Sequence, residues 1–308
     1  MKIVCFGEAL IDFKETGPLA FQGFVGGSPL NVTLAAARLG TPVALAAGVS
    51  RDHFGDAIMA HLAHNGVGQQ LITRSDAPST LAFVAESGGD VDFTFVGAGA
   101  ADTLYDPQPR PELPASVAFL EFGSISLLRE PVASAVAAVI AAHRERCAVI
   151  FDPNIRPTLI PDRAAYLPRL EAALRLSHLV KVSAQDLRWL YPDELPLAAA
   201  QGWLQRGPEA VIVTRGDAGT TLLRAQGQLE VPVPRIVVED TVGAGDTFMG
   251  ALMVRLIEQG HTESFSTLPD TVWHDALAFA AAAAALNCTR PGADPPTRDE
   301  LTAFYSQA

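Results

Sequence analysis

The chain has 308 residues, 49% of them apolar, and a formal net charge of −12 at neutral pH. That length and apolar content suit an extensive core and exclude a disordered chain, while the excess of acid excludes a surface that tracks a nucleic-acid backbone, which needs clustered Lys and Arg. An anionic ligand must therefore be captured locally, by a few residues.

The first segment, "MKIVCFGEALIDF", holds a short apolar run at 2–6 broken afterwards by Glu8 and Asp12, too short and too acidic for a signal peptide. Similar runs recur at 43–49, 117–122, 147–151, 179–182 and 210–214, several of them followed by segments with helical periodicity. Runs apolar throughout are what strands buried on both faces require. Their alternation with helices predicts an α/β fold with a mostly parallel sheet covered on both sides. Ligands of such sheets gather beyond the carboxyl ends of the strands, where this chain carries Glu8 and Asp12, Asp152 to Arg156, Ser183 and Asp186, and Thr214 to Asp217.

Two segments break the alternation. Residues 12–25 and 79–98 have β-type character, with a hairpin turn expected at the Gly-Gly-Asp of 88–90. They predict a small sheet projecting from the main domain as a lid over the strand ends, which would exclude water from a reaction there. Between them, "VGGSPLNVTLAAARLG" signals a helix with Ser28 as N-cap, Pro29 at the first position and Gly40 just past the end. Asn31 lies in its first turn beside Gly26 and Gly27. It serves either as a solvated or capping residue or, together with Asp12, as a clamp for sugar hydroxyls.

Further along, Arg156 in "DPNIRP" is a cation past a strand end in an acidic chain, poised for a phosphate or a substrate carboxylate, or else held in a surface salt bridge. "SAQD" places Ser183 and Asp186 at a spacing that suits both a capping box and the ordering of a magnesium ion and its waters. "DTVGAGDTFMG" at 240–250 opens a helix of about 15 residues that stops at Gly260. Its N-terminal N–H groups and dipole favour an anion over the loop 243–245. Asp246 behind that loop is either a stabiliser of the helix start or a general base for a hydroxyl attacking a nucleotide γ-phosphorus. The glycines ahead of it, unnecessary for capping, favour the base. "ALAFAAAAAALNC" at 276–288 is shorter than the roughly 20 residues needed to cross a bilayer and reads as a buried helix. Cys5, Cys147 and Cys288 are far apart and form no C-x-x-C pair, so neither a zinc site nor a disulfide framework is indicated and a reducing cytoplasm fits.

"GGSPLNVTLAAARLG" and "DTVGAGDTFMG" closely match the two signature segments of the ribokinase-like, or PfkB, carbohydrate kinases, and the resemblance runs from "GEALIDF" to "TRPGA". It implies a single ribokinase-like three-layer α/β/α domain over 1–308 and an ATP-dependent kinase acting on a primary hydroxyl of a small sugar. No G-x-x-x-x-G-K-[ST] phosphate loop occurs. By the resemblance Asp246 is the catalytic base, with the backbone of Gly243, Ala244 and Gly245 as anion hole. Asp12, Gly26, Gly27 and Asn31 bind the sugar, and Thr214, Gly216 and Gly219 of "VTRGDAG" lie near ATP, as does Ser183. Asp186 would serve Mg2+. A monovalent cation, potassium, would be held by Asp240 and the carbonyls of Val242, Asn287, Arg290 and Gly292. Ser183 and Asp186 stand where many relatives have Asn and Glu. "GEALIDF", "FVGGSPLNV" and "FDPNIRP" look most like bacterial fructokinases. Kinases of 2-keto-3-deoxygluconate or aminoimidazole riboside, and a catalytically silent sugar- or nucleotide-binding regulator, are the alternatives. The resemblance also implies a homodimer through the lid sheets that buries Phe13, Phe83 or Phe95.

Overall fold

The computed structural model describes residues 1–87 and 90–305, the side chains of 85–93 excepted. In chain order, β1 (Ile3–Phe6) enters the main sheet, and β2 (Leu10–Gly17) and β3 (Ala20–Gly26) form a hairpin that runs into α1 (Ser28–Arg38). Next come β4 (Val43–Ala46), β5 (Gly48–Ser50), α2 (His53–His64), β6 (Thr73–Ser75) and a second hairpin, β7 (Leu81–Ser87) with β8 (Asp90–Val96). Alternation then sets in: β9 (Phe119–Gly123), α3 (Val132–His143), β10 (Ala148–Asp152), α4 (Arg163–Leu176), β11 (Leu179–Ser183), α5 (Ala184–Leu190), α6 (Pro196–Trp203) and β12 (Ala210–Thr214). The chain closes with β13 (Thr220–Arg224), β14 (Gly227–Val231), α7 (Ala244–Glu258), α8 (Asp270–Asn287) and α9 (Arg298–Tyr305).

Eight strands make the main sheet in the order β14-β13-β12-β11-β10-β9-β1-β4, parallel from β12 to β4 and antiparallel in the β12-β13-β14 edge. The six apolar runs are its parallel strands, and their side chains alternate between two cores. Along β10, Ile150 packs on the side of α1, α2, α7 and α8, whereas Val149 and Phe151 pack on the side of α3 to α6. That is the expected three-layer arrangement.

Two differences from the sequence reading have plain causes. The run at 43–49 is split: β1 ends at Phe6, whose partner is Ala46, so the chain beyond has no neighbour in the main sheet and pairs with β6 instead. The β13-β14 hairpin carried no alternating signal, because all five residues of β13 are buried.

The two β-type segments form a separate four-stranded sheet, β3-β2-β7-β8, with β2 and β7 parallel. The glycines of the expected 88–90 turn lie outside the described residues. Phe13 stacks on Phe83 with ring centroids 5.2 Å apart and meets Phe54 of α2 edge-on at 5.8 Å, so these rings are already packed within the chain.

α7 runs for 15 residues and ends before Gly260, as expected, and the Ala-rich run lies inside α8. Among the described residues no helix is long and apolar enough to cross a membrane. Helix α1 begins one residue away from the expectation. Gly27 is its N-cap, Ser28 is the first helical residue, and the Ser28 hydroxyl is engaged elsewhere.

Candidate active site

The carboxyl ends of β1, β10, β11 and β12 and the base of the β2-β3 hairpin surround a cleft of about 1000 Å³. Asp246 sits deep in it, 6% exposed, in the first turn of α7. Its carboxylate is held from two directions. Ser28 Oγ donates to Oδ1 at 2.7 Å and Asn31 Nδ2 donates to Oδ2 at 2.9 Å. Asn154, in the left-handed region at φ 41°, donates to Ser28 Oγ at 2.6 Å and lies 3.4 Å from Asp246 Oδ1. Asn tolerates that backbone better than most residues. Asn31 is therefore a partner of the acid rather than a solvated residue.

The approach of α1 to α7 that permits these bonds depends on Gly250. A Cβ there would come within 2.7 Å of both the Val32 carbonyl oxygen and the Ala35 Cβ. One turn away from that crossing, Asn31 and Asp246 face each other.

Ahead of Asp246 the loop turns at Gly243, φ 73°, and no side chain caps the helix. Of the three N–H groups expected in the anion hole, that of Ala244 turns back to the Thr241 carbonyl at 3.2 Å. Gly243 and Gly245 line the cleft. Lys181 stands against the same loop, since a Cβ on Gly245 would fall 2.7 Å from its Nζ. The Lys181 ammonium pairs with the buried Asp152 at 2.5 Å. Burial works against its charge, but Asp152 first, with Asp246 and Asp186 adding to it, outweighs this and holds the lysine above its ordinary range. Sequence reasoning passed over Lys181, although a lysine inside the apolar run "LVKVS" is itself a signal: a buried charge needs a partner.

Asp12 lies on β2 opposite Phe24 of β3, and a side chain on Gly26 would collide with its carboxylate. Burial chiefly, opposed by Arg156 and reinforced by Asp246 and Glu8, raises its pKa to about 7. Glu8 accepts from Ser126 Oγ at 2.5 Å and is likewise pushed up by burial. Arg156 Nη1 donates to Asn154 Oδ1 at 2.5 Å and faces these acids across the cleft. An unfolded aspartate ionises near pH 4, whereas the folded Asp12 does so only near 7. The contribution of Asp12 to stability must then fall as pH rises from about 4 to about 7, because the folded state keeps the proton longer. Asp12→Asn removes this slope. Its melting temperature should gain on that of the unsubstituted protein across the window, and a difference independent of pH would refute the shift.

At the far end of the cleft Ser183 caps α5 by accepting from the Asp186 N–H at 2.9 Å, so the capping role expected of it is real. Asp186 and Thr214 also line the cleft, and burial chiefly, with Asp152 adding to it, raises the Asp186 pKa to about 6. Gly216 and Gly219 form the tight turn between β12 and β13 and are not among the lining residues. Asn287 and Arg290 stand behind the loop 240–245: Asn287 Nδ2 donates to the Val242 carbonyl at 2.8 Å, and the Arg290 guanidinium pairs with Glu300. Asp240, Val242 and Gly292 do line the cleft.

The pattern of the pfkB family of carbohydrate kinases matches residues 1–300. The chain belongs to the PfkB carbohydrate kinases. Fructokinase from Rhizobium leguminosarum bv. trifolii is 34% identical over 260 residues, covering 82% of this chain and 79% of that protein. An ATP-bound fructokinase structure from Xylella fastidiosa superposes with a TM-score of 0.90 at 30% identity, covering 99% of this chain and 98% of that one. The fructokinase of Vibrio cholerae O395 with fructose, ADP and calcium bound superposes with a TM-score of 0.86 at 28% identity, covering 98% of each chain. This PfkB kinase therefore presents a carboxylate, N–H groups at a helix start and a buried ammonium within one cleft, the set that phosphoryl transfer to a hydroxyl needs.

Proposed function

We propose that the chain transfers the γ-phosphoryl group of ATP to the primary hydroxyl of D-fructose, giving fructose 6-phosphate and ADP. The observation that carries this is the placement of Asp246, oriented by Ser28 and Asn31 at the start of the helix that follows Gly243 and Gly245. Asp246 takes the hydroxyl proton as the sugar oxygen bonds to the γ-phosphorus, and the bond from that phosphorus to the bridging oxygen breaks to release ADP. The N–H groups of Gly243 and Gly245, the α7 dipole and the Lys181 ammonium offset the charge on the transferring group. Asp12 and Asn31 receive the sugar, and Ser183 and Thr214 border the nucleotide. The fructose- and ADP-bound Vibrio cholerae relative supports this choice of ligands.

Asp186 suits Mg2+, which binds through one or two carboxylates, substrate phosphates and retained waters. It would supply charge neutralisation on the phosphates. Potassium fits less well, because the Asp240 carboxylate already pairs with the Lys14 ammonium at 3.0 Å.

2-Keto-3-deoxygluconate carries a carboxylate, which this sugar end opposes. Glu8, Asp12 and Asp246 all lie there, while Arg156 is engaged with Asn154 and the Ile155 carbonyl. A panel of fructose, ribose, 2-keto-3-deoxygluconate and aminoimidazole riboside with coupled detection of ADP tests the reading. The specificity constant for fructose should exceed the others by at least ~10²-fold, since a site built around particular hydroxyls strands its own polar groups when the wrong sugar binds. Preference for the keto-acid would overturn it, and absence of turnover with every sugar would leave a silent binding protein. Asp12→Ala should raise KM for the sugar far more than for ATP.

The same reading places the enzyme in the cytoplasm, where ATP is held and Cys5, Cys147 and Cys288 stay unpaired. It also includes a homodimer through the four-stranded sheets, whose exposed apolar residues include Leu19, Phe21 and Val96. Sedimentation at micromolar concentration should show a dimer, and monomer alone would remove that part of the proposal.

A further inference from the structure

A charge is built into the loop beside the anion hole. Asp240, three residues before Gly243, is nearly enclosed, with its side chain 8% exposed. Its Oδ1 accepts the Val242 N–H at 3.0 Å. Its Oδ2 accepts the Gly292 N–H at 2.9 Å and the Lys14 ammonium at 3.0 Å. Burial works against the Asp240 charge, and these donors outweigh it and hold the carboxyl below its ordinary range. Three of the four carbonyls that would complete a cation cage also have donors of their own. Val242 O accepts from Asn287 Nδ2 at 2.8 Å, Asn287 O from the Arg290 N–H at 3.2 Å, and Gly292 O from the Asp294 N–H at 3.1 Å. A carbonyl has a second lone pair, so these bonds alone would not keep an ion out. The ammonium decides it, because a second cation against the same carboxylate meets a like charge.

Lys14 comes from a different part of the fold. It lies on β2, paired with Gln22 of β3 and Val84 of β7. Asp12 is two residues before it, and in a strand residues i and i+2 share a face. Both line the cleft. One strand thus carries the acid assigned to the sugar and the cation that grips the loop assigned to the phosphate.

We propose that Lys14 is the resident cation of this site: it supplies from the lid the positive charge that a bound monovalent ion would otherwise place beside the anion-hole loop, so that turnover is independent of potassium. This rests on the kinase reading above. Lys14 is a positioning residue, acting on Gly243 and Gly245 through Asp240, and it ties the loop's geometry to the placement of β2.

The test uses the full-length protein freed of potassium and ammonium, with ionic strength held constant. Turnover of the unsubstituted protein should not respond to added potassium. Lys14→Met should lose turnover on the order of tenfold, within the usual span of a coupling between two sites, and should recover it with potassium or ammonium. Lys14→Arg should remain independent of both ions. Melting temperature gives a readout separate from catalysis: potassium should raise that of Lys14→Met and leave the unsubstituted protein unmoved. Activation of the unsubstituted protein by potassium overturns the proposal, as does a Lys14→Met variant that is fully active or indifferent to the ions. If no sugar were phosphorylated, the kinase reading would fall, while the melting shifts would still decide whether Lys14 fills a cation site.

Discussion

Asp246→Asn should lower turnover by at least ~10²–10⁴-fold, the usual contribution of a general base, while sugar binding and melting temperature change little. The substitution keeps size and shape but leaves no group able to take the hydroxyl proton. Its local cost falls on the bonds from Ser28 and Asn31 and on the longer one from Asn154 Nδ2. Ser28 can rotate its hydroxyl to suit either amide atom, whereas the Asn31 amide, which now donates to Asp246 Oδ2, would meet either an amide oxygen or a second donor depending on the flip. Turnover by coupled ADP release and sugar affinity by calorimetry separate the two effects. Near-normal turnover in the purified variant would remove Asp246 from its role, and loss of binding together with turnover would make it a structural acid.

Gly250→Val should damage stability and turnover together, though residue 250 touches no ligand. A Cβ at 250 would lie 2.7 Å from the Val32 carbonyl oxygen and from the Ala35 Cβ. Neither can yield without moving α1 as a body. Overpacking of this kind costs about 1–3 kcal/mol, and a shift of α1 also draws Asn31 and Ser28 away from Asp246. A misplacement of about 1 Å can cost ~10²-fold in rate. Gly250→Ala should fall between the two. Melting curves and turnover on the same preparations measure this, and a valine variant with unchanged turnover would show that the helix crossing does not set the position of the acid.

The fold was legible where burial is uniform. Strands covered on both faces appear as apolar runs, and five of the six were found within a residue or two of their ends, the sixth, at 43–49, running on past Ala46 into β5. The small four-stranded sheet was legible for the opposite reason, as β-type sequence outside that pattern. The β13-β14 hairpin was not, because its first strand is wholly buried and its second largely exposed, so neither alternates. In the site, Asp246 and Asn31 could be named from two motifs and Asp12 from its place past a strand end, but their mutual contacts could not. Ser28 looked like a cap because Ser before Pro commonly is one. Only the dihedral angles of Gly27 move the cap back by one residue and free the hydroxyl for Asp246. Asn154 acts through a backbone conformation that a polar residue after a strand does not announce. Lys181 was visible as a lone charge in an apolar strand, yet its partner Asp152 lies 29 residues earlier in the chain. Gly250 gives no local sign at all, since its reason is another helix.

The crossing of α1 and α7 also bears on how the molecule is made. Leu30, Val32, Ala35 and Ala36 of α1 are fully buried in the finished protein, and part of what buries them is α7, which begins at Ala244. A ribosome adds roughly 5–20 residues per second, so the nascent chain carries this apolar stripe without its cover for roughly 10–40 s. For that interval β1, β4 and α1 form a half-built layer with one sticky side, a stretch in which chaperones have a target and crowded neighbours a hazard. The acid that completes the site arrives with the helix that ends the exposure, so a molecule able to catalyse has also buried this apolar face.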